Sequence, residues 1–408
     1  MTEPVAPQSA PEPAAAGPPP TVASQLALWQ RAGGLVVPLL TAVLAFLIGG
    51  LVVLATGHDP LIAYRDIFKG AGLNWFFDLP WSTDTANDAA YNLTQTLLQT
   101  STLILTGLAV AFAFRCGLFN IGGQGQYLVG LFVANWVGVS MASLAGPVHV
   151  LLGIGAAVLA GALWAGIAGF LKATVGAHEV ITTIMLNWIA YWIGSYLFGQ
   201  GGPLQNTDNP SVPISSDVAA SAQLPVFWGD KGLQGLHVGF FLSLAMLVLF
   251  WVILNRTTAG YEVRAVGFNP DAAAYGGISV RKNYIRAMAI SGAFAGLAGG
   301  LDMLGYLYHF GVLDVQSSTI GFLGIAVALL GRNTAVGTGL AALVFGALLY
   351  GTTHGLTSET IKPELAGNLT LMIQGLVVLF VGADVLILYL WRVGRLGAWR
   401  RRLGRSTA

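Results

Sequence analysis

The chain has 408 residues, 9% of them charged and 55% apolar, with a formal net charge of +1 and a mean hydropathy of +0.70. A soluble globular domain carries about 25% charged residues, so this composition excludes one and specifies an integral membrane protein. A single cysteine, Cys116, excludes a disulfide framework or C-x-x-C site within the chain, the absence of any Gly-Lys dipeptide excludes a Walker A phosphate loop, and His178-Glu179 lacks the second histidine of a zinc-protease motif.

From the N-terminus, residues 1–32 hold seven prolines in the first twenty positions and are expected to form a disordered Pro/Ala-rich cytoplasmic tail. Neither a basic start nor an apolar core precedes Gly33, so the first span is expected to be an uncleaved anchor. About 20 apolar residues are needed to cross a hydrocarbon core of roughly 30 Å. Such runs lie near 33–56, 94–114, 120–144, 148–171, 179–198, 237–254, 286–306, 317–331, 335–353 and 367–391. The expected fold is an all-α polytopic bundle of about ten transmembrane helices over 33–391, followed by an Arg-rich cytoplasmic tail at 392–408. The eighth run is short and glycine-interrupted and reads as a broken or re-entrant element.

With the N-terminus inside, fifteen of the nineteen basic residues fall on the inner side, and only Arg65, Lys69, Lys231 and Lys362 fall outside. That asymmetry follows the positive-inside rule and orients both termini to the cytoplasm. Of three long connections, 57–90 and 199–236 are external and read as solvated connectors, whereas 255–285 is internal.

Polar groups inside spans need partners there, so they either hold helices together or line a wet cavity. In chain order they are Asn120, Gln124 and Gln126 in "FNIGGQGQ", Asn187 in "TTIMLNWIA" and Gln374 in "LMIQGLV". With Gly122, Gly123 and Gly125 breaking the backbone, the group reads as a discontinuous helix bordering a solute path, with Phe119 and Trp188 as aromatic neighbours able to stack on a base or simply to pack. Amides donate and accept without a charge to desolvate, which suits a neutral polar solute such as a nucleoside or sugar. Two carboxylates, Asp302 and Asp384, also sit at membrane depth. Asp302 follows a stripe of Gly292, Gly296 and Gly300 suited to close helix contact, and structural pairing is the favoured role for both acids.

The internal loop contains a compact helix signal: Asn269 to cap, Pro270 at the first position, Asp271 at the positive end, then alanines and Gly276 to stop. So short a helix must pack on its own bundle or on a partner. "GYEVRAVGFNPDAAAYGGI" resembles the coupling loop of ABC-transporter importer permeases of the branched-chain amino acid and ribose type. "GLFNIGGQGQ", "HEVITTIMLN" and "GFLGIAVALLGRN" resemble the nucleoside-importing branch of that family.

The resemblance implies a transport subunit rather than an enzyme, in a bacterial inner membrane. It implies paired permease chains, often two related but different ones, and ABC ATPase subunits that bind ATP and Mg. An external substrate-binding lipoprotein would deliver the solute, and no cofactor is expected in this chain. It places ATPase coupling on Arg264, Gly267, Asn269, Asp271, Ala272 and Ala273. A simple-sugar importer of the same construction, and a proton-coupled carrier working through Asp302 or Asp384, remain the alternatives.

Overall fold

The computed structural model describes residues 42–77, 84–229 and 234–356, together with 368, 371–373, 375, 376 and 379. The two tails and Asp384 lie outside these residues, as does most of the expected tenth span. The described chain is an all-α bundle. It comprises α1 (Ala42–Ala55), α2 (Pro60–Gly70), α3 (Asp84–Arg115), α4 (Gly123–Ser140), α5 (Gly146–Val175), α6 (Glu179–Phe198), α7 (Gly239–Arg256), α8 (Thr258–Phe268), α9 (Pro270–Tyr275), α10 (Val280–Asp302), α11 (Val312–Ser317), α12 (Ile320–Leu330) and α13 (Ala335–Gly355). Among the described residues seven helical spans are long and apolar enough to cross a membrane, or eight if the α1–α2 pair, bent by 119°, is one span. The polar first turn of α4, with Gln124 and Gln126, keeps that 18-residue helix out of the set although most of it is buried.

The eighth run is broken at its start and not at its glycines, since Gly321 and Gly324 lie inside the continuous α12. α11 and α12 are separated at Ser318–Thr319, where Ser318 has extended backbone (φ −66°, ψ 125°).

Both supposed connectors carry more structure than their polar composition suggests. In 57–90, Asp59 caps α2 by accepting the Leu61 N–H at 2.8 Å, and Pro60 starts the helix. α2 then packs on α13 so closely that a Cβ on Gly70 would lie 2.3 Å from the Gly355 Cα. In 199–236, a short antiparallel hairpin pairs β1 (Val226–Trp228) with β2 (Leu236–His237). Backbone N–H groups of Ser215, Val218, Ala219 and Leu224 donate to carbonyls of Phe310, Tyr308, Gly138 and Leu304 at 2.8–2.9 Å. This loop is therefore strapped across the ends of α4 and α10. Its buried Val218, Leu224 and Leu236 are too widely spaced to form an apolar run in the sequence.

α3 and α10 form the centre: their most apolar windows are each 83% buried, against 22% for α5 and α7. Apolar side chains have no hydrophobic reason to leave lipid, so helix contact there depends on close packing. The glycine stripe supplies it. A Cβ on Gly296 would lie 2.3 Å from the Ala157 carbonyl of α5, one on Gly292 2.2 Å from the Gly161 carbonyl, and one on Gly299 2.2 Å from the Tyr127 carbonyl of α4. Gly296→Leu is expected to cost several kcal/mol by overpacking and to remove the monodisperse peak in detergent size-exclusion chromatography. Gly155→Ala, where a Cβ meets nothing within 4 Å, serves as the tolerated control.

Candidate functional site

Between α3 and α4 the chain runs non-helically through Phe119–Gly122, leaving backbone groups that lipid cannot satisfy. Neighbouring amides take them up. Gly125 N–H donates to Asn187 Oδ1 at 2.8 Å, while Asn187 Nδ2 donates to the Ile121 carbonyl at 2.9 Å. Gly122 N–H donates to Asn120 Oδ1 at 2.8 Å. Asn120 and Gln126 exchange reciprocal amide bonds of 2.9 and 3.0 Å, and Asn120 Nδ2 also donates to Ser291 Oγ of α10 at 2.7 Å. Gln124 spans the other break: its Nε2 donates to the Ser318 carbonyl and Oγ at 3.0 and 3.1 Å, and its Oε1 accepts the Gly321 N–H at 2.8 Å.

The structure thus brings Asn120, Gln124, Gln126 and Asn187 together as a buried cluster in which each amide oxygen and nitrogen has a protein partner. Phe119 stacks on Phe114 at 4.9 Å. Trp188 is 55% exposed on the bundle exterior, edge-on to Tyr191. Gln374 lies outside the described residues.

Beside this network, toward the end of the bundle that carries the hairpin, is a cavity of about 500 Å³, within the range of small-molecule sites. Tyr91, Gln95, Leu98 and Gln99 of α3 line it, with Tyr127 of α4 and Tyr306 and Phe310 following α10. The α11–α12 junction contributes Asp314, Ser317, Ser318 and Thr319, and α13 contributes Tyr350, Thr353 and His354. The wall thus combines aromatic faces, amides, hydroxyls and the Asp314 carboxyl, with no lysine or arginine among its described residues. Tyr350 and His354 lie parallel at 4.0 Å, and Gln95 Nε2 donates to the Gln234 carbonyl at 2.7 Å. Asp314 accepts the Gly311 N–H at 2.8 Å and so caps α11.

None of the residues singled out in the sequence is on this wall, although Ser318, held by Gln124, is. A signal for four of its members was present: Gln95 and Gln99, like Tyr350 and His354, stand four apart on one helix face.

At the opposite end of α7, the coupling-loop signal has folded as read. Asn269 Oδ1 accepts the N–H groups of Asp271 and Ala272, both at 3.0 Å, Pro270 starts α9, and Gly276 ends it. Asp271 and Ala272 are exposed, Ala273 is buried beneath them, and Gly267 packs so tightly that a Cβ would lie 2.3 Å from the Arg115 carbonyl. Arg264 shares a second cavity with Arg115 and the start of α13. Glu262 accepts from Asn283 Nδ2 and Arg286 Nη1, both at 3.1 Å, tying α8 to α10. The Asn283 hydrogen bond, assisted by Arg286, holds the Glu262 carboxyl below its usual range despite an opposing desolvation effect. Two aromatics that the sequence reading passed over flank α9, Phe268 at 91% and Tyr275 at 98% exposure.

A membrane bundle with a polar cavity near one end and a rigidly tied helical loop at the other has the build of a transport subunit. The chain belongs to the family described as the branched-chain amino acid transport system permease component, which it matches over residues 92–382. It is similar to the guanosine ABC transporter permease protein of Bacillus subtilis, 38% identical over 88% of this chain and 96% of the relative. A nucleoside ABC transporter permease protein of Lactococcus lactis is 35% identical over 82% of this chain and 88% of the relative. A glucose ABC transporter permease protein of Haloferax volcanii is 34% identical over 84% and 86% respectively. No solved structure matches. The chain is accordingly a membrane transport component that works within a larger transporter, not an enzyme.

Gln124→Leu is expected to damage the fold before it damages transport. It leaves the Gly321 N–H and the Ser318 carbonyl unpaired at a helix break, at about 1–3 kcal/mol for each buried group. Thermal unfolding in detergent should show a lowered midpoint, whereas Gln99→Leu, on the cavity wall, should keep the wild-type midpoint.

Proposed function

We propose that the chain is the permease subunit of an ATP-driven importer that carries nucleosides across the bacterial cytoplasmic membrane. The observation that carries this reading is the cavity wall: tyrosine faces suited to stacking on a base, with amides and hydroxyls suited to ribose and base edges and no lysine or arginine among its described residues. Names of the bacillar and lactococcal relatives agree with it. The amide network of Asn120, Gln124, Gln126 and Asn187 serves as the frame of the solute path. The glucose-named relative favours a second reading, a simple sugar in the same cavity.

The location of most basic residues supports a cytoplasmic position for α8 and α9 and for both termini. There α9, bounded by the bare rings of Phe268 and Tyr275, presents Asp271 and Ala272 to an ABC ATPase that binds ATP and Mg. Arg264, Gly267 and Ala273 seat this lever on its own bundle. A related permease chain and an external binding lipoprotein complete the assembly.

Two measurements test this. Uptake of labelled guanosine should vanish when the partner ATPase is inactivated; uptake that persists and collapses only with the proton gradient would overturn the ATP-driven reading. Phe268→Asp combined with Tyr275→Asp should reduce co-purification of the ATPase at least about tenfold, the effect of losing about 1.4 kcal/mol, with permease abundance unchanged. Normal co-purification and uptake would remove the lever assignment.

A further inference from the structure

Asp302 closes α10 just where the helix widens into a π turn, Met303–Leu307, and it is only 2% exposed. Its carboxyl is held by hydroxyls alone. Thr102 Oγ1 donates to Oδ1 at 2.5 Å, the Tyr127 hydroxyl donates to Oδ2 at 2.8 Å, and the Tyr306 hydroxyl donates as well. No cation among the described residues forms an ion pair with it. Tyr306 lies within the π turn, and the next connection begins at Tyr308 with a left-handed φ of 59°, a conformation uncommon for a bulky residue. π turns and such outliers concentrate where a function constrains the backbone.

Both tyrosines line the 500 Å³ cavity. A phenol has one proton and two lone pairs. Once the proton is donated backward to Asp302, only lone pairs remain to face a solute. A carboxyl in a membrane interior is costly even when hydrogen-bonded, and an asparagine of nearly the same size would satisfy the same neighbours only by donating to one of them. The acid therefore fixes something that a neutral residue would reverse.

We infer that Asp302 is a positioning residue for solute selection: it fixes the hydroxyls of Tyr127 and Tyr306 as hydrogen-bond acceptors, so that this wall selects solutes that offer O–H or N–H donors. Ribose hydroxyls are such donors. The inference deepens the reading of the cavity as the nucleoside path and rests on it.

The test is competitive uptake by the complete transporter of guanosine against 2′,3′-dideoxyguanosine, which keeps the base and lacks two donors. Wild type should prefer guanosine by about tenfold or more, one hydrogen bond's share of affinity. Asp302→Asn reverses one bond to a phenol and should bring that preference down by about tenfold at unchanged permease abundance. Tyr306→Phe should do the same by removing the acceptor. Thr102→Val removes a donor that does not face the solute and should leave the preference intact.

Asp302→Asn and Tyr306→Phe proteins that accumulate normally and keep the wild-type preference would reduce Asp302 to a packing role. If Asp302→Asn fails to accumulate, Tyr306→Phe decides by the same criterion. A wild-type transporter that takes up glucose and not guanosine overturns the nucleoside reading alone. The preference is then read between glucose and a deoxyglucose, with the same variants and the same deciding outcomes.

Discussion

Everything in this bundle follows from one constraint: a backbone N–H or C=O in the membrane interior has no water to bond and must find a partner in the chain. An unbroken helix meets that demand by itself, and among the described residues it is interrupted beside the cavity at Phe119–Gly122 and at Ser318–Thr319. Each gap is closed by an amide from another element. Asn187 of α6 reaches Ile121 and Gly125, and Gln124 of α4 reaches Ser318 and Gly321. The two gaps are thereby locked to each other through the first turn of α4. Because Ser318 and Thr319 also border the cavity, the amide that satisfies the broken helix sets the position of the cavity wall. Irregular backbone is tolerated here because the protein interior replaces the missing water.

The second organising element is α10. Its glycines let it sit against α4 and α5 at backbone contact distance, so it has little freedom to slide or tilt independently of them. Near its start Asn283 and Arg286 bind Glu262 of α8; in its middle Ser291 accepts from Asn120 and donates to the Ala109 carbonyl of α3; at its end Asp302 gathers Thr102 and Tyr127. Arg115 adds a parallel tie, donating from Nε and Nη2 to the Asn333 carbonyl at 2.9 and 2.7 Å while its own carbonyl packs against Gly267. One packed helix thus joins the α8–α9 loop to the tyrosines of the cavity. Such contiguity is what a rigid-body rocking mechanism requires, since displacement at one end must arrive at the other without being absorbed between them.

The sequence was informative wherever the governing physics is local. Hydropathy marked the spans, and Asn269-Pro270 with Gly276 marked α9 to the residue, but the glycines of 317–331 did not mark the break, because Gly321 and Gly324 lie inside α12 and the helix is interrupted before them at Ser318–Thr319. The spacing of Gly292, Gly296 and Gly300 marked a close helix contact. Residue type also showed that Asn120, Gln124 and Asn187 required partners, but it could not say whether the partner was a solute or a neighbouring backbone. That depends on which carbonyls lie nearby, 66 residues away for Asn187 and 194 for Gln124. The cavity wall was hidden for the same reason: its polar members come from α3, α4, the α11–α12 junction and α13, which are far apart in the chain. Likewise, 57–90 and 199–236 read as connectors because their buried contacts are spread thinly among Pro, Asn, Asp and Ser.

The placement of the ionisable groups bears on where the energy for transport enters. A proton-driven carrier needs a carboxyl that meets water on each side in turn and changes its charge as it does so. Asp302 is enclosed, and three hydroxyls donate to it. Asp314, the other carboxyl beside the cavity, is engaged as a helix cap. The wall is thus constructed to keep one polarity, which favours discrimination among neutral solutes over a cycle of charge. At the far end of α7 the balance is reversed: the short helix α9, too small to stand alone, follows α8, which is tied to α10 through Glu262, while two aromatic rings are left almost wholly bare. Exposed rings on a braced lever gain free energy when a partner covers them, and that end of the bundle is where an outside force has something to push against.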